Sequence, residues 1–488
     1  VIKFTQKNKL FPAWICLVVL LTALCMPSAP AAAANMEQKM DAVLAMDAST
    51  SMNDSDKNKV ANEAMKMFVD MSSVSGDKIG LLSYTDQIVR EKALLKINST
   101  NDKEELKSFI DQLTRGPYTD IAVGVDEAVK ILEAGKDPTH YPLIVLLTDG
   151  NNSLKQDRTQ AQSDQQLQAA VERAKSQGIP IYTIGLNADG QLNKDVLANI
   201  SEQTGGKMFE TSTAETLPQI LSEIFANHLK LKVVPLTSFA ANGDFQDVTV
   251  SIPNGNVMEA NVSIMSSRPV EVRLFDPSGG QRQVPSDGVV LARSSAYSLV
   301  KLIKPAQGDW KMQIKGIGQD YITINLVYNY DLALVMAPLA KTAYKQGESV
   351  TVSARLESNG QPVADADLYK NLKSTLLLTD LDTKATTEIA LTNSGQDFSG
   401  TFALGEAHDY EAKVRVEDSS FFRESAPVAF SAKPAPVQQP ATPAPSPAPA
   451  ASAPSAAPAQ AAEKAFPWAL VIGGALLLVL LLTLLLFI

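Results

Sequence analysis

Ala42-Val43-Leu44-Ala45-Met46-Asp47-Ala48-Ser49-Thr50-Ser51 opens the first patterned region of the chain. Five apolar residues in a row, too few for a buried helix, read as a strand covered on both faces. Where that strand stops, a carboxylate and two hydroxyls alternate, so a loop can turn all three toward one point. Oxygen-only donors of this kind suit a hard divalent cation, and few carboxylates among several hydroxyls suit Mg²⁺. Two later stretches add to the set. Leu143-Ile144-Val145-Leu146-Leu147-Thr148-Asp149-Gly150 is a second apolar strand ending on an Asp, and Gly116-Pro117-Tyr118-Thr119-Asp120-Ile121 is a turn with a Thr just ahead of a helix. Each fragment alone is an ordinary cap or turn. All three in order, each at a strand end or helix start, point to one metal site.

Outward from these loops, strand and helix patterns alternate. Strand-like runs fall at Ala42–Met46, Ile79–Tyr84, Ile88–Leu95, Leu143–Leu147, Ile179–Ile184 and Lys207–Glu210. Helical patterns fall at Lys57–Ser72, Asp102–Leu113, Ile121–Glu133, Asp157–Gln177, Asn193–Gln203 and Thr216–Leu229. This alternation predicts an α/β domain with a doubly wound, mostly parallel sheet. The segments 79–84 and 88–95 are joined too tightly for a crossover and should form an antiparallel edge hairpin. The ligand loops then lie at the carboxyl ends of the strands, where open α/β sheets bind ligands.

The ordered set Asp47-x-Ser49-x-Ser51, Thr119 and Thr148-Asp149-Gly150 resembles the metal-ion-dependent adhesion site of von Willebrand factor A domains, over about residues 37–230. The resemblance implies a Rossmann-like fold, with Asp47, Ser49, Ser51, Thr119 and Asp149 holding Mg²⁺, or in some members Mn²⁺. It implies an open coordination position that accepts an Asp or Glu carboxylate from a partner protein. Thr50 stands where Gly is frequent, and Pro117-Tyr118 stand where small residues are usual, so the rim should differ in shape. With only Asp47 and Asp149 ionised, the cation keeps positive character and attracts a further anionic oxygen.

From about Leu231 the pattern changes to short strands between Asn-Gly, Pro-Ser-Gly and Gln-Gly-Asp turns, with helical periodicity absent. This predicts a β-sandwich over 231–331, with Trp310 as a core anchor. A second sandwich is expected over 332–432, where Tyr344–Val352 and Tyr410–Val416 loosely resemble strands of bacterial immunoglobulin-like modules. Both read as spacers. Residues 433–466 are a Pro/Ala-rich linker; at ~3 Å per residue, 433–462 reach roughly 90 Å, as a wall-spanning stalk or as a passive linker.

Residues 1–34 carry Lys3, Lys7 and Lys9 and then an apolar run from Ile15 to Leu24, as a signal peptide cleaved near Ala34 does. An uncleaved anchor is the alternative. Residues 467–488 are uncharged and long enough to cross a bilayer, which predicts a single-pass membrane protein with extracytoplasmic domains. Cys16 and Cys25 both lie in the leader, so the expected mature chain has no disulfide. A formal charge of −10 argues against a nucleic-acid partner. His140, His228 and His408 show no metal-ligand spacing and read as surface or packing residues.

No catalytic His, zinc-protease, nucleophile-elbow or phosphate-loop motif accompanies the ligand loops. Asp120 reads as a helix-start residue and Asp126 as a residue on the solvated face of its helix. The expectation is a binding protein and not an enzyme, gripping an acidic residue on its partner. An assembly or quality-control factor working with an AAA ATPase, like the aerotolerance-operon members, is the alternative. Calcium-activated chloride channel regulators also join this domain to β-sandwiches and a membrane segment. Their zinc-protease motif is missing ahead of the first strand here.

Overall fold

The computed structural model describes residues 39–150 and 152–434. The leader, the transmembrane segment expected at 467–488 and nearly all of the linker lie outside the described residues. Among the described residues, no helix is long and apolar enough to cross a membrane.

The amino-terminal domain is built on a six-stranded sheet in the order β3-β2-β1-β4-β5-β6. Its strands are β1 (Met40–Asp47), β2 (Lys78–Tyr84), β3 (Ile88–Lys96), β4 (Tyr141–Thr148), β5 (Ile181–Leu186) and β6 (Met208–Thr211). All pairs are parallel except β2–β3, which form the expected antiparallel hairpin at the edge. Helices α1 (Val60–Met71), α2 (Thr100–Asp111), α3 (Ile121–Gly135), α4 (Gln160–Ser176), α5 (Lys194–Thr204) and α6 (Leu217–His228) cover it.

Strand β1 is buried along its whole length. The two-residue alternation of strand side chains divides it between two cores. Met40, Ala42, Leu44 and Met46 pack with residues of α1, α2 and α6. Val43 and Ala45 pack with residues of α3, α4 and α5. A central strand that must be apolar on both faces is what its unbroken run of hydrophobic residues encodes.

His228 ends α6 inside this core. It stands edge-on to the rings of Tyr141 and Tyr182, and its Nε2 has no hydrogen-bond partner. Burial, with the nearby charge of Lys230 adding to it, pushes the imidazole down to about 4. The unfolded chain therefore takes up the proton first as pH falls. The stability tied to neutral His228 is complete above about pH 6.5 and is lost between there and pH 4, to a total of about 3 kcal/mol. His228→Phe should remove that component. Urea unfolding at pH 7 and pH 4.5 should show a smaller acid-side loss in the variant than in the wild type.

After α6 the chain enters two β-sandwich units. In the first, a four-stranded sheet orders β11-β10-β14-β8 and a five-stranded sheet orders β12-β13-β9-β15-β7. These strands are β7 (Val234–Ala240), β8 (Gln246–Ile252), β9 (Val257–Met265), β10 (Glu271–Phe275), β11 (Gln281–Arg282), β12 (Val289–Arg293), β13 (Tyr297–Ile303), β14 (Gly308–Lys315) and β15 (Tyr321–Tyr330). Trp310 is buried opposite Val250, and its Nε1 donates to the Ala306 carbonyl at 2.9 Å. Two further antiparallel sheets, from Ala333–Met336 to Val428–Ser431, make the second unit. A short helix at Ala366–Lys370, capped by Asp365, interrupts the pattern read as free of helix.

The sequence casts these units as spacers, and the structure docks both against the α/β domain. The segment leaving α6 pairs with the second sandwich: Lys232 N donates to Ser420 O (2.7 Å) and Phe422 N to Lys230 O (3.0 Å). Arg423 is buried there and donates to the Leu332, Tyr330 and Lys230 carbonyls. The first sandwich grips the far end of α1. Lys301 donates to Met71 O (2.9 Å) and Ser72 O (2.7 Å) and pairs with Glu259 at 3.1 Å. Ser73 donates to Glu259, and Tyr297 to Asp70 at 2.6 Å. The carboxyl end of a helix carries unpaired carbonyls and partial negative charge, which is where a buried ammonium is best satisfied.

Candidate metal centre

Parallel pairing of β1 with β2 and β4 brings Asp47 opposite Tyr84 and sets Met46 beside Leu147, so the ends of β1 and β4 deliver their loops to one edge of the sheet. There Ser49 N donates to Asp47 Oδ1 at 2.7 Å, which folds the Asp47–Ser49 turn back on itself. Ser49 and Ser51 share a hydroxyl–hydroxyl bond of 2.8 Å, and Ser51 Oγ donates to Asp149 Oδ1 at 2.9 Å. Asp47, Ser49, Ser51 and Asp149 therefore form one continuous polar chain.

Thr119 joins through its backbone. Gly116 N donates to Ala48 O (2.8 Å), Asp120 N to Thr85 O (3.0 Å), and Thr119 exchanges both backbone bonds with Ser153. The 116–119 turn is thus tied to the loop after β1, the loop after β2 and the segment after β4. Thr119 itself is buried. Helix α3 starts directly behind it because Asp120 caps the helix, accepting from Ala122 N at 3.1 Å. Gly124 lets α3 approach the sheet: a Cβ there would lie 2.6 Å from the Tyr84 ring.

The electrostatics fit a cation. Burial, with the Asp149 charge adding to it, pushes the Asp47 carboxyl up to about 6 against the hydrogen bonds from Thr148 and Ser49. Burial also raises Asp149, opposed by the Ser55 and Ser51 hydroxyls and by Arg115. Asp149 Oδ2 is buried without a hydrogen-bond partner. Buried acceptors in native proteins are nearly always satisfied, so an orphaned carboxylate oxygen beside a second carboxylate marks a place for positive charge. With all donors oxygen, the residues present suit Mg²⁺ or a similar hard ion.

Sequence reading missed several supporting residues. Thr148 Oγ1 donates to Asp47 Oδ2 at 2.6 Å and orients that carboxylate, and its only local signal is its place before Asp149. Arg115 donates to Asp47 O at 2.8 Å and approaches Asp56, whose carboxylate caps α1 at Val60 N and Ala61 N. Nothing local marks Arg115, because its partners lie far away in sequence. Asp126 differs from expectation. It is not on a solvated face but against α4, held by Gln166 (2.8 Å), Arg173 (2.9 Å) and Lys130 (3.2 Å).

His140 is buried on Asp41 at 2.7 Å. Among the described residues, Asp380, Asp382 and His408 also converge, but on the second sandwich, where the Lys433 ammonium bridges Asp382 and Asp409 at 2.7 and 2.8 Å. That grouping reads as an ion-pair network.

Comparison with known proteins bears on the fold of the amino-terminal domain. The family model for the von Willebrand factor type A domain matches residues 41–223. Calcium-activated chloride channel regulator 1 of Mus musculus is 23% identical over 357 residues, covering 68% of this chain and 36% of the regulator. That alignment runs well past the metal-site domain, although the chain spans only about a third of the regulator's length. A UPF0353 protein of Mycolicibacterium gilvum is 25% identical over 204 residues, covering 37% of this chain and 58% of that protein. Among solved structures, a von Willebrand factor type A protein from Catenulispora acidiphila superposes with a TM-score of 0.35 at 14% identity, over 66% of this chain and 63% of that one. Sheet order, helical layers and the matched family model together identify residues 41–223 as a von Willebrand factor type A domain, which β-sandwich units follow.

Proposed function

We propose that the chain is a membrane-anchored, extracytoplasmic binding protein that uses Mg²⁺, held by Asp47, Ser49, Ser51, Thr119 and Asp149, to grip an Asp or Glu carboxylate on a partner protein. The observation that carries this reading is the orphaned, buried Asp149 Oδ2 at the end of the polar chain from Asp47. Bound there, the cation supplies one electrophilic position for an anionic oxygen. The protein's residues do the rest: Thr148 and Arg115 fix Asp47, and the pinned 116–119 turn fixes Thr119.

Catalysis is not part of the proposal. The two carboxylates singled out in the sequence as spare are engaged, Asp120 by Arg158 (2.9 Å) and Ser163 (2.6 Å), and Asp126 by its partners on α3 and α4. Neither is free to act as a general base. The leader-like and apolar terminal segments of the sequence support the membrane location.

A screen of displayed peptides, run in Mg²⁺ and again in EDTA, tests the reading. It predicts binders that need Mg²⁺ and share an Asp or Glu whose amide replacement abolishes binding. Binders indifferent to both would contradict it. A switch accompanies the site: α6 packs on α1, with Phe68 and Phe225 edge to face at 5.6 Å, and its exit is hydrogen-bonded to the second sandwich. A disulfide engineered between α6 and α1 should change peptide affinity. Unchanged affinity in a well-folded variant would refute the switch.

A further inference from the structure

Tyr118 stands out on two independent grounds. Its φ is +67°, in the left-handed region that a bulky L-residue enters only at a steric cost. The residue is also 40% exposed, and the other exposed large hydrophobic residues among those described, Ile317 and Tyr321, lie in the first sandwich. An aromatic residue with this much surface in water recovers only part of that backbone cost through packing, and Gly would serve the turn without it. Strain held at an exposed position beside a ligand residue points to function.

The turn also holds the backbone of Tyr118 in place. Tyr118 lies between Gly116, bonded to Ala48, and Thr119, bonded both ways to Ser153. Its neighbour Thr119 is buried while Tyr118 is exposed, so the tied backbone of this turn keeps an exposed aromatic residue directly next to a candidate ligand. A rigid aromatic with two side-chain torsions is a low-entropy contact residue.

We infer that Tyr118 is a specificity residue of the metal-dependent site, and that the partner it selects carries an aromatic side chain next to the acidic residue. The inference rests on the proposed metal-dependent reading and narrows it. The cation takes the carboxylate, and the Tyr118 ring takes the flanking aromatic face by stacking or edge contact. Selection then comes from the pair, since many proteins expose a lone Asp.

Two probes test this against the purified protein in Mg²⁺: acetyl-Gly-Phe-Asp-Gly-amide and acetyl-Gly-Ala-Asp-Gly-amide, titrated by NMR. The Phe peptide should bind roughly five- to tenfold tighter. In Tyr118→Ala the ratio of Phe-peptide to Ala-peptide affinity, read within the variant itself, should shrink to about onefold. Tyr118→Gly should behave like the Ala variant and melt no lower than wild type, which a packing role for the ring would not allow. Equal binding of the two peptides to wild type, or a Phe advantage that survives both substitutions, overturns the inference and leaves the metal reading standing. Absence of Mg²⁺-dependent binding by either peptide overturns both.

Discussion

Lys301→Met should destabilise the protein by about 4 kcal/mol in urea unfolding, the largest single-residue effect expected outside the apolar cores. Lys301 belongs to the first sandwich, yet its ammonium satisfies the carbonyls of Met71 and Ser72 at the end of α1 as well as Glu259. It is almost completely buried, as is Glu259. Removing one member of a buried ion pair strands the other, at roughly 3–5 kcal/mol. Ser72 O keeps a second donor, Lys103 at 2.6 Å, and Glu259 keeps Ser73, so the loss should fall inside that range and not beyond it. Combining Lys301→Met with Glu259→Gln should recover part of the loss, because the stranded charge goes with the pair. A loss below about 1 kcal/mol for the single variant would mean that the sandwich does not hold α1.

Asp149→Asn should act in opposite directions with and without metal. In EDTA the variant should be as stable as wild type or slightly more stable. Asp149 is a buried carboxylate with one unpartnered oxygen, close enough to Asp47 for its charge to raise that carboxyl further. The amide removes this repulsion and keeps an oxygen able to accept from Ser51. In saturating Mg²⁺ the order should reverse, since the variant loses one of two ionised ligands and with it the metal-linked stabilisation. At a free metal concentration a hundredfold above Kd that stabilisation is about 2.7 kcal/mol. Equal responses of both proteins to Mg²⁺ would remove Asp149 from the ligand set.

The docked sandwiches bear on both experiments. An α/β fragment ending near residue 230 would lose the fully buried Leu231 and would expose the polar residues that meet the first sandwich, among them Asp70 and Ser73. Measurements on the metal site therefore belong on protein that retains the sandwiches. Helix α1 begins just after the ligand loop, capped by Asp56, and ends on Lys301. The metal loop and the first sandwich thus hold opposite ends of one helix.

The α/β domain was legible because its signals are local. Apolar runs located the strands, and β1, β2 and β4 extend the predicted runs by at most two residues at either end. Departures came where a single nearby capping contact decides an end. The helix read from Lys57 starts at Val60 because the Asp56 carboxylate takes the first free amides. The strand read from Ile179 starts at Ile181 because Gly178, at φ +63°, ends α4 and Ile179 N closes that end on Ala174 O. The start of α4 carried a readable signal, the Thr159–Gln162 capping box, that helical periodicity alone overran.

Within the site, the residues that meet were readable as motifs, while those that hold them were not. Arg115 reaches Asp47, and α4 covers Asp126, only through tertiary packing. The docking of the sandwiches was illegible for the same reason. Lys301 and Glu259 look like ordinary strand charges until the fold sets them against α1.

The most direct test of the central claim is thermal unfolding of the protein in EDTA and in increasing Mg²⁺, with Asp149→Asn beside it. A working site predicts a rise of roughly 5 °C in Tm for the wild type at about a hundredfold over Kd, growing with the logarithm of metal concentration and absent from the variant. A folded wild-type protein whose Tm does not respond to Mg²⁺ would contradict a metal centre at Asp47 and Asp149.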